Sequence, residues 1–172
     1  MNLSPQEIDA LIASYQSGDP NMLAMLQQLR AASSVIKYPF TYSAQFFTAG
    51  AANSLAAGAT ATVNVNIDAG APFLIISQSY YVNSLNAAIT RTTEPVPNVI
   101  VLLTDTGTNR QLMDQAVPVD CIFGNGQFPY ILPEPKLMQA NSVLQVQVTN
   151  RDAAAGHNLY LAFNGYKLYK MG

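Results

Sequence analysis

What most constrains this chain is a change of hydrophobic period near residue 35. Beyond it, Ala61, Val63, Val65 and Ile67 alternate with Thr60, Thr62, Asn64 and Asn66. A period of two gives a segment one dry face and one wet face, which is a half-buried strand. Phe73-Leu74-Ile75-Ile76, continuing through Tyr80-Tyr81-Val82, is an apolar run of strand length, and so is Val99-Ile100-Val101-Leu102-Leu103. Asp105-Thr106-Gly107-Thr108-Asn109 reads as a hairpin turn, with Arg110-Gln111-Leu112-Met113 returning. Val143, Leu144, Val146 and Val148 mark a further strand. Asn158 to Tyr169 is the last, with Leu159, Leu161 and Phe163 on one face. Asp152-Ala153-Ala154-Ala155-Gly156 reads as a hairpin tip, and Asn125-Gly126 as a two-residue turn. Pro118, Pro129, Pro133 and Pro135 punctuate residues 114–140, which are expected to form a long ordered crossover, because proline cannot donate to a strand ladder. About seven to nine short strands without a helical period predict a mainly β chain, an antiparallel β-sandwich or jelly roll.

Upstream of residue 35 the pattern is helical. Ser4-Pro5-Gln6-Glu7 supplies a cap, a first-turn proline and a Glu three residues after the cap. Ile8, Leu11, Ile12 and Tyr15 follow as one apolar stripe. Gly18 ends that helix, and Asp19-Pro20 starts another with Met22, Leu23, Met25, Leu26 and Leu29 as its stripe. Residues 4–32 are therefore expected to be two short helices joined by a tight turn. This divides the chain into an N-terminal helical hairpin arm, 1–35, and a β-sandwich domain, 36–172.

Composition excludes several functions. Charged residues are 10% of the chain and the formal net charge is −2, against about 25% charged in a typical soluble domain. No nucleic-acid partner is expected, because such binding depends on phosphate contacts. No membrane partner is expected either: the charge-free stretch from Tyr38 to Ile67 is interrupted by Pro39, Gln45, Asn53, Asn64 and Asn66, unlike a spanning helix. The first residues carry no basic, apolar targeting pattern. Cys121 is the single cysteine, which rules out an intrachain disulfide.

Catalytic chemistry is not visible. His157, the one histidine, is expected to make a local polar contact with Asp152 across a turn. Cys121 is expected to be a buried structural thiol. The carboxylates Asp105, Asp114, Asp120, Glu134 and Asp152 match no calcium-loop spacing. Gly124-Asn125-Gly126 lacks the spacing and the Lys-Ser/Thr of a phosphate loop. No nucleophile, base and orienting group stand together, so the chain is expected not to be an enzyme and to need no metal or cofactor.

The remaining signals concern surface. Asn and Gln number 26 against 18 charged residues. Such a surface suits permanent contacts, in which a buried charge would cost desolvation. Aromatic residues cluster at Tyr38, Phe40, Tyr42, Phe46 and Phe47, and again at Tyr160, Tyr166 and Tyr169. They are expected to serve packing in core or interface. Tyr38, Tyr42 and Tyr166, near the expected ends of the β-domain, are the candidate interface residues.

Three segments carry a resemblance. They are Leu55 to Thr60 with Val63-Asn64-Val65-Asn66-Ile67-Asp68 and Pro72-Phe73-Leu74-Ile75; Phe128 to Pro135 leading into Ala140 to Asn150; and Leu159 to Lys167. Together, over roughly residues 40 to 170, they resemble small β-sandwich virion proteins of tailed bacteriophages, which decorate or cement a head or sit in collars and tails. The resemblance implies a non-enzymatic capsid decoration protein in the virion, assembled in the host cytoplasm. It implies a homo-oligomer, with a trimer among its forms, bound to major capsid or other virion proteins. Two other readings stay open: a single jelly-roll capsid subunit that itself builds the shell, and a carbohydrate- or receptor-binding tail module.

Overall fold

The structure is a computed structural model that describes residues 2–3, 12–13, 24, 27, 35–47, 53–84 and 98–170. Ten strands follow in chain order: β1 (Asn2–Leu3), β2 (Val35–Phe46), β3 (Thr60–Asn66), β4 (Phe73–Ser84), β5 (Val99–Asp105), β6 (Arg110–Gln111), β7 (Val117–Pro118), β8 (Tyr130–Met138), β9 (Val143–Asn150) and β10 (His157–Lys170). Val119–Ile122 is a single helical turn. The first sheet has the order β1-β2-β10-β4-β8; the second runs β3-β9-β5-β6, with β7 also pairing β5. All these ladders are antiparallel. The two sheets form a β-sandwich, as the alternating sequence predicts.

Strand order specifies the kind of sandwich. β2 pairs with β10, β3 with β9, β4 with β8, and β5 with β6 and β7. The pairs are nested about the β5–β6 turn, and successive pairs lie in alternate sheets. An antiparallel double sheet wound in this way is a jelly roll.

The inner faces follow from the period of two. Val99, Val101 and Leu103 on β5 meet Leu144, Val146 and Val148 on β9, and both sets are buried. From the first sheet come Ala44 and Phe46, Phe73 and Ile75, and Leu159, Leu161 and Phe163. Phe123, just after the helical turn, meets Phe163 edge-on with ring centres 5.6 Å apart. Each fully buried side chain of this size contributes about 1.5–3 kcal/mol relative to exposure.

Four expectations need correction. Residues 38–46, expected only as part of an aromatic cluster, belong to the twelve-residue strand β2, and Phe47 just beyond it bridges to Ser54. Residues 114–140 contain strand β8, where a crossover was expected. β8 lies at the sheet edge, and its register to β4 jumps from Ile75↔Lys136 to Ser77↔Ile131. Pro133 and Pro135 fall within that jump, where no ladder bond is required of them. Asp152 to Gly156 is not a hairpin tip, because β9 and β10 lie in different sheets. It is a corner between sheets, shaped by Asp152 Oδ1 accepting the N–H groups of Ala154 and Ala155 at 2.8 and 3.2 Å. Asn125-Gly126 is not a two-residue turn: the bend runs over residues 126–128, and the side-chain Oδ1 of Asn125 accepts the N–H groups of Gln127 and Phe128 at 3.0 and 2.7 Å. The hairpin expected at 105–109 is present, with Asn109 in the left-handed region at φ 52°.

Residues 12, 13, 24 and 27 are helical, inside the stretches where helices are predicted; the rest of the two expected helices, 4–32, lies outside the described residues. Asn2 and Leu3, within the expected arm 1–35, pair with Ile36 and Val35, so the chain joins the first sheet before the expected helices begin.

Two glycines are fixed by close approach of backbone. A Cβ on Gly165 would overlap the carbonyl oxygen of Leu74, and one on Gly124 would overlap the backbone of Phe128 to Tyr130; Gly126 has open space. Gly165→Ala and Gly124→Ala are expected to lower unfolding free energy by about 3 kcal/mol each, and Gly126→Ala by less than about 0.5. Urea denaturation followed by circular dichroism checks this, and equal effects at all three sites would refute it.

Candidate functional site

The sequence-derived reactive groups do not converge. His157 is buried at the start of β10, its Nε2 3.6 Å from Asp152 Oδ2, as the turn contact predicts. Neither ring nitrogen has a hydrogen-bond partner. Backbone N–H groups of Ala154 and Ala155 hold the Asp152 carboxyl below the usual carboxylate range, and His157 adds to the effect. Cys121 is exposed, contrary to the buried thiol expected, because the helical turn directs Val119 inward and Cys121 to solvent. Among the described residues, no three His, Cys, Asp or Glu side chains are grouped to hold a metal ion.

The strongest polar cluster closes one end of the sandwich. Lys167 on β10 is buried and donates to Asp68 Oδ2 at 3.0 Å. Its ammonium lies 3.9 Å from the centre of the Phe40 ring and 5.6 Å from that of Tyr42, a desolvated cation over aromatic faces. Burial is the largest single influence and works against the charge; the Asp68 hydrogen bond and the fields of Tyr42, Asp68 and Tyr169 together outweigh it, so Lys167 titrates above its ordinary value. The Gly70 N–H and Lys167 together hold the Asp68 carboxyl low. Tyr42, a candidate interface residue, belongs to this cluster. It is half-buried, packs edge-on against Phe73 at 4.8 Å, and its hydroxyl accepts the Asp68 N–H at 2.9 Å.

The surface that remains is neutral. On the outer face of the second sheet stand Thr60, Thr62, Asn64 and Asn66 of β3, Gln145, Gln147 and Thr149 of β9, and Ile100, Leu102 and Thr104 of β5. None carries a charge. The hydroxyls of Thr60 and Thr149 lie 2.8 Å apart across the ladder. The middle of the first sheet's outer face is alike: Thr41, Ser43 and Gln45 beside Asn164, Ala162 and Tyr160, then Ser77, Ser79 and Tyr81. Among the described residues, the charges within strands lie off these neutral faces: Glu134 is exposed on the edge strand β8, and Lys136 of β8 faces Asp105 across the sheets at 3.6 Å.

Exposed apolar groups stand on both sides of the first sheet and at the entry to β8. Ile36, Tyr38 and Tyr169 share the face of Phe40 and Tyr42 but are exposed, because the second sheet stops short of them. Tyr38, a candidate interface residue, is 58% exposed there. Phe47, Tyr160 and Tyr81 form an aromatic row on the outer face, with centroids 6.3 and 6.1 Å apart. Tyr81 is 57% exposed, and Phe128 and Ile131 reach 77% and 70%. The third candidate, Tyr166, is half-buried on the outer face, with Lys37 6.0 Å from its ring centre. The three tyrosines therefore occupy three different settings. Sequence reasoning missed Tyr81, Phe128 and Ile131; the outward parity of Tyr81 against the buried Tyr80 side of β4 was a signal for the first.

No protein-family model matches the chain, and no curated protein matches it. Among solved structures it is similar to a chain from the crystal structure of the infectious bursal disease virus VP2 subviral particle, with 13% identity and a TM-score of 0.32. The match covers 78% of this chain and 33% of that one, so the chain spans about a third of its length. A likeness of this degree carries no argument about function, and the fold assignment rests on strand order.

The low Asp68 pKa has a measurable sign. Its contribution to stability is complete above the ordinary carboxylate range and is lost as pH falls through the depressed value. Lys167→Met removes one cause and leaves the Gly70 hydrogen bond, so the fall in Tm between about pH 5 and pH 2 is expected to become shallower without vanishing. Thermal unfolding across that range checks it; superimposable acid limbs would show that the pair contributes nothing.

Proposed function

We propose that this protein is a non-enzymatic structural protein of a tailed-bacteriophage virion that binds a protein lattice as a decoration subunit. The observation that carries the reading is the absence of charge from the middle of both outer sheet faces. Solvent-facing sheets normally carry mixed charges, and a neutral face is suited to burial against another protein, where unpaired charges cost several kcal/mol each. The exposed aromatic residues are of the type that anchors interfaces. Fold alone does not choose the function, since lectins and cupins share jelly-roll architecture with capsid proteins.

The nested strand order favours a second reading, a single jelly-roll capsid subunit that builds the shell. The two differ in one measurement: a shell subunit assembles alone into closed particles, whereas a decoration subunit co-sediments only with a preformed particle.

Binding through neutral faces is expected to survive an increase from about 0.1 to 1 M salt, over which the Debye length falls from about 10 to 3 Å. Tyr38→Asp and Tyr81→Asp are expected to weaken binding at least about tenfold, because each would bury an unpaired charge. His157→Ala and Cys121→Ser are expected to retain binding. Co-sedimentation with the parent particle tests all of these, and release of the wild-type protein at moderate salt would overturn the reading.

A further inference from the structure

A cavity of about 250 Å³ opens into one edge of the sandwich, between β8 of the first sheet and β5 of the second. Tyr130, Leu132, Glu134 and Lys136 of β8 line one side of it, with Ile75 of β4 and Leu103 of β5 at its inner side. Leu112 and Met113, just after β6, and Ile122 of the helical turn complete an apolar wall. The register jump of β8 accounts for the space. Between the pairings Ile75↔Lys136 and Ser77↔Ile131, residues 132–135 of β8 stand against Ile76 alone, so the edge strand bows off the ladder there.

The polar groups around the cavity select its ligand. Gln78 lines the inner side at 4% exposure and stands opposite the core residue Phe163 in the ladder. Its amide and the Tyr130 hydroxyl each donate and accept hydrogen bonds without carrying charge. Toward solvent stand Glu134, which is exposed, and Lys136, whose ammonium faces the buried Asp105 carboxylate at 3.6 Å. Inward charges on an edge strand deter pairing with another chain. Here they set two carboxylates against one ammonium that is already engaged. An anionic headgroup would meet an excess of negative charge, and a charge buried without a partner is costly. An apolar cavity of about 150 Å³ takes a six-carbon ring, so this one has room for about ten non-hydrogen atoms.

A mostly apolar cavity with a few placed polar groups is the usual form of a small-molecule site. We propose that this cavity binds a small uncharged amphiphile. An aliphatic chain of about eight carbons lies against the Leu, Ile and Met side chains, and a terminal hydroxyl or amide hydrogen-bonds with Gln78. The site is separate from the outer faces of the sheets, so its ligand is bound whether or not the protein joins a lattice.

Titration of the full chain with octanol tests this, read by nuclear magnetic resonance on the methionine methyl groups. Met113 lines the cavity, whereas Met138 lies in the core and does not line it. The Met113 signal, assigned with Met113→Leu, is expected to shift saturably with a dissociation constant below about 1 mM, and Met138 to move far less. Octanoate is expected to bind at least about tenfold more weakly, because its carboxylate would be buried beside Glu134 and Asp105. Gln78→Leu is expected to weaken octanol binding about tenfold through loss of one hydrogen bond. Leu132→Trp, at a half-buried position of the edge strand, fills the cavity and is expected to abolish the shift with β-type circular dichroism retained. Should that variant unfold, Gln78→Leu alone decides. Absence of a saturable shift at Met113, shifts of equal size at both methionines, equal affinity for octanoate, or unchanged octanol binding in either folded variant would overturn the proposal.

Discussion

The fold depends on the pairing of β2 with β10. That ladder runs from Leu159↔Phe46 to Lys170↔Val35, and β10 offers its other edge to β4 from His157↔Ser84 to Lys167↔Phe73. A strand bonded along both edges leaves no backbone group of its ladder unpaired. Once it is in place, β3 with β9 and β5 with β6 close the second sheet. The chain behaves as one long paired ribbon whose successive segments are rolled onto alternate faces of a common core.

Rolling the ribbon creates corners, and the corners carry the specific polar chemistry. Asn150, buried at the end of β9, donates its side-chain amide to the carbonyls of Leu55, Ala56 and Ala155 and accepts the N–H of Asp152. One side chain thus ties the β2–β3 connection to the crossing from β9 to β10. At the opposite corner Asp105 Oδ1 accepts the Gly107 N–H at 3.0 Å, while Oδ2 faces Lys136 of the other sheet. With charges and buried amides engaged in these corners, the broad faces are left to Thr, Ser, Asn, Gln and aromatic side chains. The fold thereby separates polar work at the ends from neutral surface on the flats.

What could be read from the sequence was what is encoded locally. Alternation located β3, β9 and β10, continuous apolar runs located β4 and β5, and Asp105 to Asn109 located a tight hairpin. β2 escaped because its inward residues, Phe40, Tyr42, Ala44 and Phe46, differ greatly in size, and Pro39 interrupts the run. β8 escaped because proline argues against a central strand, and an edge strand with a register jump is exempt from that argument. Switching of the chain from one sheet to the other at residues 151–156 has no local signature, since hairpin tips and sheet corners use the same turn residues. Of the candidate site, neutrality was legible in the composition. Which tyrosines face outward depended on β2 and on the length of the second sheet.

The nested pairing also sets an order of events. Local turns can close β5 on β6 early, but each later pair joins segments farther apart in the chain, and loop closure comes before the contacts that reward it. The first sheet lacks its central strand until β10 has been synthesised. Until then β2 and β4 expose unsatisfied edges flanked by Phe46 and Phe73, the kind of surface that invites aggregation. The first sheet's outer face exists as a surface only after that last strand is inserted. Geometry therefore provides a completeness check: a chain interrupted before β10 can present at most one of the two faces.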